Sequence, residues 1–401
     1  MNREISKKIC IFIFIFTFTS ITLLLTACDN SLRKSIESNI VVFDETVIPT
    51  ELIERLKDKK VVIVGEYHGI QEHKDFVTDL MLDLKYYNQF DQLLLEMSHS
   101  LGWILEDYTW GLIDQLPAYF EKLPQADISR IRDFNQNVPE EERIRVRAID
   151  INHSPTFIGV SLNTMLQMGL LEYKEPVEAF LSVFDDDKSI IEDIMFYEHV
   201  EEFYYKLIAE EANLIEVWGE RYYHRILDIV EIELQSIICR KPLEGGNVQL
   251  RSQLREDFIK NMVDEYLKGT NHGTIINVGF YHAQNSHFLG TENKWLGEHL
   301  KHQSPYTNNK SYSLVVVPVK GEIKWGDTEY KTIDITSSGR RDELFRIIES
   351  LVDERRAFLS LDDVLFLEKA IYINYHYTML NIIPKEQFDG FVLLPRATRI
   401  K

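Results

Sequence analysis

The pattern of apolar and polar residues along the chain predicts short buried strands that alternate with helices. Runs rich in β-branched or leucine side chains, bounded by glycine or polar residues, are typical of such strands. Six runs fit this description: Val61–Val64, Gln92–Met97, Ile144–Ile151, Thr274–Val278, Tyr312–Val319 and Phe388–Leu394. Because strands alternating with helices favour an α/β fold, we predict a mostly parallel central sheet flanked by helices.

Helical spacing fills the intervals between these strands. Apolar residues from Phe76 to Leu84 recur at intervals of three and four, which predicts a helix and completes a right-handed βαβ unit with the first two strands. Residues 155–244 contain little strand pattern and are predicted to form a large helical insertion. Its aromatic residues are predicted to be the core of the insertion, although they could instead line a substrate or haem pocket. The α/β core domain is then expected at residues 46–154 and 245–401.

The first residues have the pattern of a targeting segment. Basic side chains precede an uncharged stretch at residues 9–27, and the LTAC sequence at residues 25–28 resembles the lipobox of bacterial lipoproteins. The motif implies a signal peptide over residues 1–28, a lipid on Cys28 that attaches the chain to a membrane, and a tether at residues 29–45. An uncleaved membrane anchor is the alternative. Both interpretations place the body of the protein in the cell envelope of a bacterium, outside the cytoplasm.

Charge and cysteine content narrow the classes of partner and chemistry. The 401 residues carry a formal net charge of -20, and because an acidic surface repels phosphate backbones, nucleic acid is not expected as a partner. Cys239 is predicted to be a buried small hydrophobe, since no histidine or acidic residue lies beside it. The chain contains no GxSxG, HExxH, P-loop, GxGxxG or paired CxxC motif, which argues against serine hydrolases, zincins and nucleotide enzymes.

Ionisable side chains follow four of the predicted strands. Glu66 and His68 follow the first strand, Glu96 ends the second, Asp150 ends the third and His282 follows the fourth. Because ligands bind outside the carboxyl ends of parallel strands, these side chains are expected to share one site. Histidine beside carboxylate supports either acid–base chemistry on a water molecule or the binding of a metal ion.

Several polar residues also have a structural interpretation. His73 and His287 are expected to be exposed helix residues and not ligands. Asp150 could simply pair with a basic neighbour such as Arg147. Glu96 could cap the helix that follows it or pair with Arg255.

Six short motifs resemble those of the erythromycin esterase and ChaN-like superfamily, in the order in which that superfamily has them. They are GEYHG at residues 65–69, LLLEM at 93–97, REDFIKNM at 255–262, VGFYHA at 278–283, WLGEHL at 295–300 and FDGFVLL at 388–394. The helical middle and WLGEHL resemble the esterase branch. The spacing of Glu66 and His68, together with the lipobox, resembles the ChaN-like haem-binding lipoproteins.

The resemblance implies catalytic roles for five residues. His68 would be the general base that deprotonates water, and Glu66 and Glu96 would orient it. His282 and Arg255 would polarise the attacked carbonyl or stabilise the oxyanion that forms from it.

The leading function is therefore a lipid-anchored hydrolase that acts on an ester or related carbonyl compound as its small-molecule substrate, with no cofactor required. The main alternative is a haem- or metal-binding surface lipoprotein without catalysis. In that alternative Tyr67, Tyr281 or a tyrosine of the insertion would bind iron, or the histidines and carboxylates would bind a divalent metal. A third possibility is a degenerate member that binds envelope components and catalyses nothing.

Overall fold

Strands and helices alternate along the chain as the apolar pattern predicts. The structure, a computed structural model, describes residues 31–44, 47–87, 90–117, 120, 126–186, 194–244, 246–287, 293–307, 309–325, 329–334, 343–352, 355–368, 370–375 and 378–400. Its strands are β1 Ile40–Phe43, β2 Val61–Glu66, β3 Phe90–Ser98, β4 Arg145–Asp150, β5 Gly273–Gly279, β6 Ser311–Trp325, β7 Glu329–Asp334, β8 Arg356–Ser360, β9 Ile371–Tyr375, β10 Thr378–Ile382 and β11 Gly390–Ala397.

The central sheet is mostly parallel. Within the described residues its strands follow the order β1-β8-β11-β6-β2-β5-β3-β4, with β7 paired to β6, while β9 and β10 form a separate hairpin. The strands from β11 to β4 in this order are parallel neighbours. β1, β7 and β8 pair antiparallel at the margins. The predicted α/β class is confirmed.

Helices connect the strands and supply the insertion. They are α1 at residues 31–39, and α2 Thr50–Leu56, α3 Gln71–Tyr86, α4 Gly102–Thr109, α5 Ile128–Gln136, α6 Thr156–Gln167, α7 Glu175–Leu181, α8 Val183–Asp186, α9 Ile194–Ala209, α10 Glu211–Trp218, α11 Glu220–Glu244, α12 Val248–Lys268, α13 Leu296–His302, α14 Glu343–Val352, α15 Leu365–Glu368 and α16 Pro384–Gln387. No helix within the described ranges has the length and apolar character required to cross a bilayer.

β2 and β5 lie at the centre of the sheet, and every residue of both strands is buried. Parallel strands that are covered on both faces have continuous apolar sequences, which is why β2 and β5 could be predicted from the sequence. The polar groups that follow them are consequently held on a rigid, fully packed base.

Buried ion pairs attach the helical insertion to the core. Asp107 of α4 is buried and binds Arg221 and Arg225 of α11. Beyond the end of β4, the side-chain amide of Asn152 donates to Glu233 of α11 at 2.7 Å. These contacts fix α11 beside the carboxyl end of the sheet.

The aromatic residues of the insertion divide between its core and its surface. Phe196, Phe203, Trp218 and Tyr223 are buried, whereas Tyr205 is exposed. The expectation that they form a core is confirmed for the buried members. Cys239 is likewise a buried free thiol, as predicted.

Two parts of the chain differ from the sequence prediction. The tether expected at residues 29–45 is wrong for 31–43, because Leu32 and Ile36 are buried in α1 and β1 pairs with β8. β6 extends beyond its predicted end at Val319 to Trp325 and pairs with β7. β1 is stabilised by pairing with a distant segment, and the end of β6 by pairing with the adjacent strand β7. The local apolar pattern indicates neither pairing. The signal segment and Cys28 lie outside the described residues.

Candidate active site

The carboxyl ends of four parallel strands lie side by side at one edge of the sheet. Glu66, the last residue of β2, is in register with Gly279, the last residue of β5. Ser98, the last residue of β3, is in register with Asp150, the last residue of β4. Since neighbouring parallel strands end together, the polar side chains at these ends collect in one place.

A bulge in β3 places Glu96 among them. Leu95 pairs with Ala148 and Ser98 pairs with Asp150, so β3 has one residue more than β4 in this interval. Bulges of this kind redirect side chains beside active sites. The carboxylate of Glu96 accepts the backbone N–H of Gly279 on the neighbouring strand β5.

Glu66 fixes the orientation of the His68 ring. Nδ1 of His68 lies 2.6 Å from Oε1 of Glu66, and the side chain of His68 is 45% exposed whereas that of Glu66 is buried. Because an ionised carboxylate only accepts, Nδ1 carries the proton and Nε2 carries the lone pair. Desolvation lowers the pKa of His68, but the charges of Glu66 and Glu96 outweigh it and raise that pKa above 6.5.

Gly279 leaves room for His68 and Glu96 to face each other. A Cβ atom at Gly279 would lie 3.2 Å from Nε2 of His68 and 3.2 Å from Oε2 of Glu96. The two atoms therefore border the same small space. A side chain larger than hydrogen at this position would push into both groups.

His282 is bound between two carboxylates. Its Nδ1 lies 2.6 Å from Oε2 of Glu256, and its Nε2 lies 3.3 Å from Oε1 of Glu96. Burial lowers the pKa of His282, but Glu256 and Glu96 outweigh it and raise the pKa to about 10. His282 is therefore an imidazolium at neutral pH, and it offers positive charge beside Glu96.

Arg255 of α12 joins the acids of β3 and β4. Its Nε donates to Oδ1 of Asp150 at 2.9 Å, and its Nη2 donates to both Asp150 and Glu96. Burial raises the pKa of each carboxyl group. The nearby charges of His282 and Arg255 outweigh burial at Glu96 and hold its pKa below the usual range. Arg255 and His153 have the same effect on the pKa of Asp150. Both acids are ionised at neutral pH.

The structure thus brings the five predicted side chains together: Glu66, His68, Glu96, Arg255 and His282. Glu96 is central, because it contacts Arg255 and His282 and borders the same space as His68.

The prediction that His73 is exposed is wrong. Its side chain is buried, and its Nε2 lies 2.8 Å from Oδ1 of Asn277 and 3.3 Å from Oε2 of Glu66. His73 lies in the first turn of α3, on the side facing the sheet. Burial lowers its pKa, so this imidazole is neutral and supports the second oxygen of Glu66. His287, by contrast, is 48% exposed, as expected.

The suggested pair of Asp150 with Arg147 does not form. Asp150 is three positions after Arg147 on β4, so their side chains point to opposite faces of the sheet. Arg147 instead contacts Gln92 and Glu106. Asp150 binds Arg255 and His153.

Sequence reasoning missed Glu256 and Asn277. Glu256 follows Arg255 directly, yet it projects from another side of α12 and accepts the backbone N–H of Leu296 as well as the imidazole of His282. Its role depends on how α12 and α13 pack, which no local pattern indicates. Asn277 did carry a signal, because it is the polar residue inside the apolar run of β5.

The arrangement does not fit a resident metal ion. Within the described ranges, no group of three or more His, Cys, Asp or Glu side chains could hold one. The carboxylates are already bound to cations, since Glu96 and Asp150 share the guanidinium of Arg255. A divalent ion here would be repelled by that charge.

Two of the tyrosines named for the haem-binding alternative, Tyr67 and Tyr281, pack against other aromatic rings. Tyr67 is buried and packs edge-on against Phe280. Tyr281 stacks on Trp295 with ring centroids 5.5 Å apart.

Comparison with known proteins supports the fold. No family model and no curated protein sequence matches the chain. Among solved structures, a Bacillus cereus protein has a TM-score of 0.66 at 15% identity and covers 93% of this chain and 99% of its own. A succinoglycan biosynthesis protein has a TM-score of 0.66 at 14% identity, covering 94% and 99%. The erythromycin esterase EreC, solved as a histidine-to-asparagine mutant in its open conformation, has a TM-score of 0.59 at 12% identity, covering 90% and 98%.

The chain therefore shares its fold with the erythromycin esterase EreC, as the resemblance in its sequence implies. The haem-bound ChaN of Campylobacter jejuni also matches, at 12% identity, with 73% of this chain and 93% of ChaN covered. Its TM-score of 0.29 is too low to show a shared fold.

Proposed function

We propose that the chain is a hydrolase that activates water at His68 and cleaves an ester or related carbonyl compound. The observation that carries this proposal is the space bordered by Nε2 of His68 and Oε2 of Glu96, each 3.2 Å from the Cβ position of Gly279. A water molecule bound at Nε2 of His68 would meet a base and lie near the carboxylate of Glu96, which contacts the charged His282.

The first step is attack by water on the carbonyl carbon of the substrate. Nε2 of His68 takes one proton as the new C–O bond forms, and Glu66 stabilises the resulting imidazolium through Nδ1. When the tetrahedral intermediate collapses, His68 returns that proton to the leaving alkoxide. The base is thereby regenerated without a covalent enzyme intermediate.

His282 and Arg255 act on the charge that develops. The imidazolium of His282, which is buried, stabilises the oxyanion through its charge. Arg255 is bound to Asp150 and Glu96. We assign it the task of holding Glu96 in place, and not direct contact with the oxyanion.

The pH dependence of ester cleavage tests this assignment. We expect kcat/KM for an activated ester such as 4-nitrophenyl acetate to fall as pH drops through a pKa above 6.5, because His68 must be neutral to accept a proton. We expect a second fall as pH rises through about 10, where His282 loses its charge. Absence of cleavage by the purified protein across this range would contradict the proposal.

We also propose that Cys28 carries a lipid that holds the protein to a bacterial membrane, outside the cytoplasm. The support is the LTAC motif that ends the uncharged stretch at residues 9–27. Cys28→Ala is expected to abolish incorporation of labelled palmitate and to move the protein out of the washed membrane fraction. Unchanged labelling in this variant would contradict the lipid assignment.

A further inference from the structure

Arg251 differs from the other arginines near the site in its ion pairs. Arg240 binds Glu233, and Arg255 binds Asp150 and Glu96. Arg251 forms no such ion pair with any residue that the structure describes. Its Nη2 lies 3.3 Å from Nδ1 of His153, and its Nε is buried without an acceptor among the described side chains.

The position of Arg251 is electrostatically unfavourable. It lies in the first turn of α12, a helix of 21 residues, where the helix dipole is positive and favours anions. Burial, and then the nearby charge of Arg255, lower its pKa. The charge of Asp150 offsets part of this cost, and a further negative group bound to Arg251 would offset more of it.

His153 connects Arg251 to the carboxylate of Asp150. Its Nε2 lies 2.7 Å from Oδ2 of Asp150, and its side chain is 38% exposed. Asp150 accepts the proton of Nε2, so Nδ1 turns towards Arg251. Arg251 and His153 thus form one partly exposed unit, linked through Asp150 to Arg255 and Glu96.

We infer that Arg251, with His153 beside it, binds an anionic group of the substrate, so that the hydrolase acts on esters that also carry a carboxylate. This inference rests on the proposed hydrolase function and adds the substrate class. A guanidinium fork matches a carboxylate bidentately. Arg251 and Arg255 are one helical turn apart, a rise of about 6 Å, so the carboxylate lies several bonds from the carbonyl that is attacked.

Paired esters test the substrate class. The wild-type protein is expected to cleave 4-nitrophenyl hydrogen glutarate with a kcat/KM about tenfold above that for the neutral 4-nitrophenyl pentanoate, the size of one charge-assisted contact. Arg251→Gln is expected to remove this preference, and Arg251→Lys to keep part of it. Arg33→Gln, which alters an exposed arginine on α1, is the matched control and should keep the full preference.

A binding measurement separates this inference from the proposed activity. Titration calorimetry with glutarate should give an affinity about tenfold weaker for Arg251→Gln than for the wild-type protein. Binding of glutarate without cleavage of either ester would support the anion site and overturn the hydrolase. Equal cleavage of both esters, or equal glutarate affinity in the wild type and Arg251→Gln, would overturn the anion site.

Discussion

His68→Ala is expected to lower kcat for an activated ester by about 10²–10⁴-fold, the usual contribution of a general base. The side chain removed is 45% exposed but pairs with the buried carboxylate of Glu66, so we expect some loss of stability beside the loss in kcat. Steady-state kinetics on the purified variant, together with its thermal unfolding midpoint, measure the two effects separately.

The matched control is His287→Ala, which removes another exposed histidine near the carboxyl end of the sheet. Its contact with Glu298 is 3.4 Å long, and it has no link to Glu96 or Glu66 among the described contacts. Activity should stay at the wild-type level in this variant. An equal loss in both variants, or full activity in His68→Ala, would show that His68 is not the base.

Arg255→Met is expected to destabilise the fold by about 3–5 kcal/mol, because it leaves the buried carboxylates of Glu96 and Asp150 without their shared cation. The pKa values of both acids are depressed in the folded protein, so each contributes stability above its unfolded pKa and loses it as pH falls. Without Arg255 these pKa values rise. Acid unfolding should therefore begin at a higher pH than in the wild type.

Arg130→Met is the comparison for this variant. Arg130 is 43% exposed and pairs with Asp79 at 2.6 Å, and exposed pairs contribute about 0–1 kcal/mol. Urea unfolding at neutral pH and at pH 4 measures both variants. A cost for Arg255→Met no larger than that for Arg130→Met would contradict the view that Arg255 holds the acids of the site.

The core of the fold and the positions of the site residues could be predicted because each has a local signal. β2 and β5 are continuous apolar runs, and Glu66, Glu96 and His282 come at or just after strand ends. The edge strand β1 and its neighbour β8 could not be predicted, since they pair with each other across more than 300 residues of sequence.

The contacts within the site could not be predicted in the same way. The β-bulge that directs the side chain of Glu96 into the site depends on the register between β3 and β4. Glu256 contacts His282 only because α12 packs beside the turn that follows β5. His73 was misjudged although the sequence carried a signal, because it lies three residues before Phe76 and four before Val77 and is therefore on the apolar face of α3.

A crystal structure with a phosphonate ester bound as a mimic of the tetrahedral intermediate would test the central claim most directly. The account predicts phosphonate oxygens within hydrogen-bond distance of Nε2 of His68, beside Gly279, with the charge of His282 nearby. A phosphonate bound elsewhere, such as in the cavity of about 340 Å³ lined by His99, Trp103 and Tyr266, with His68 untouched, would contradict it.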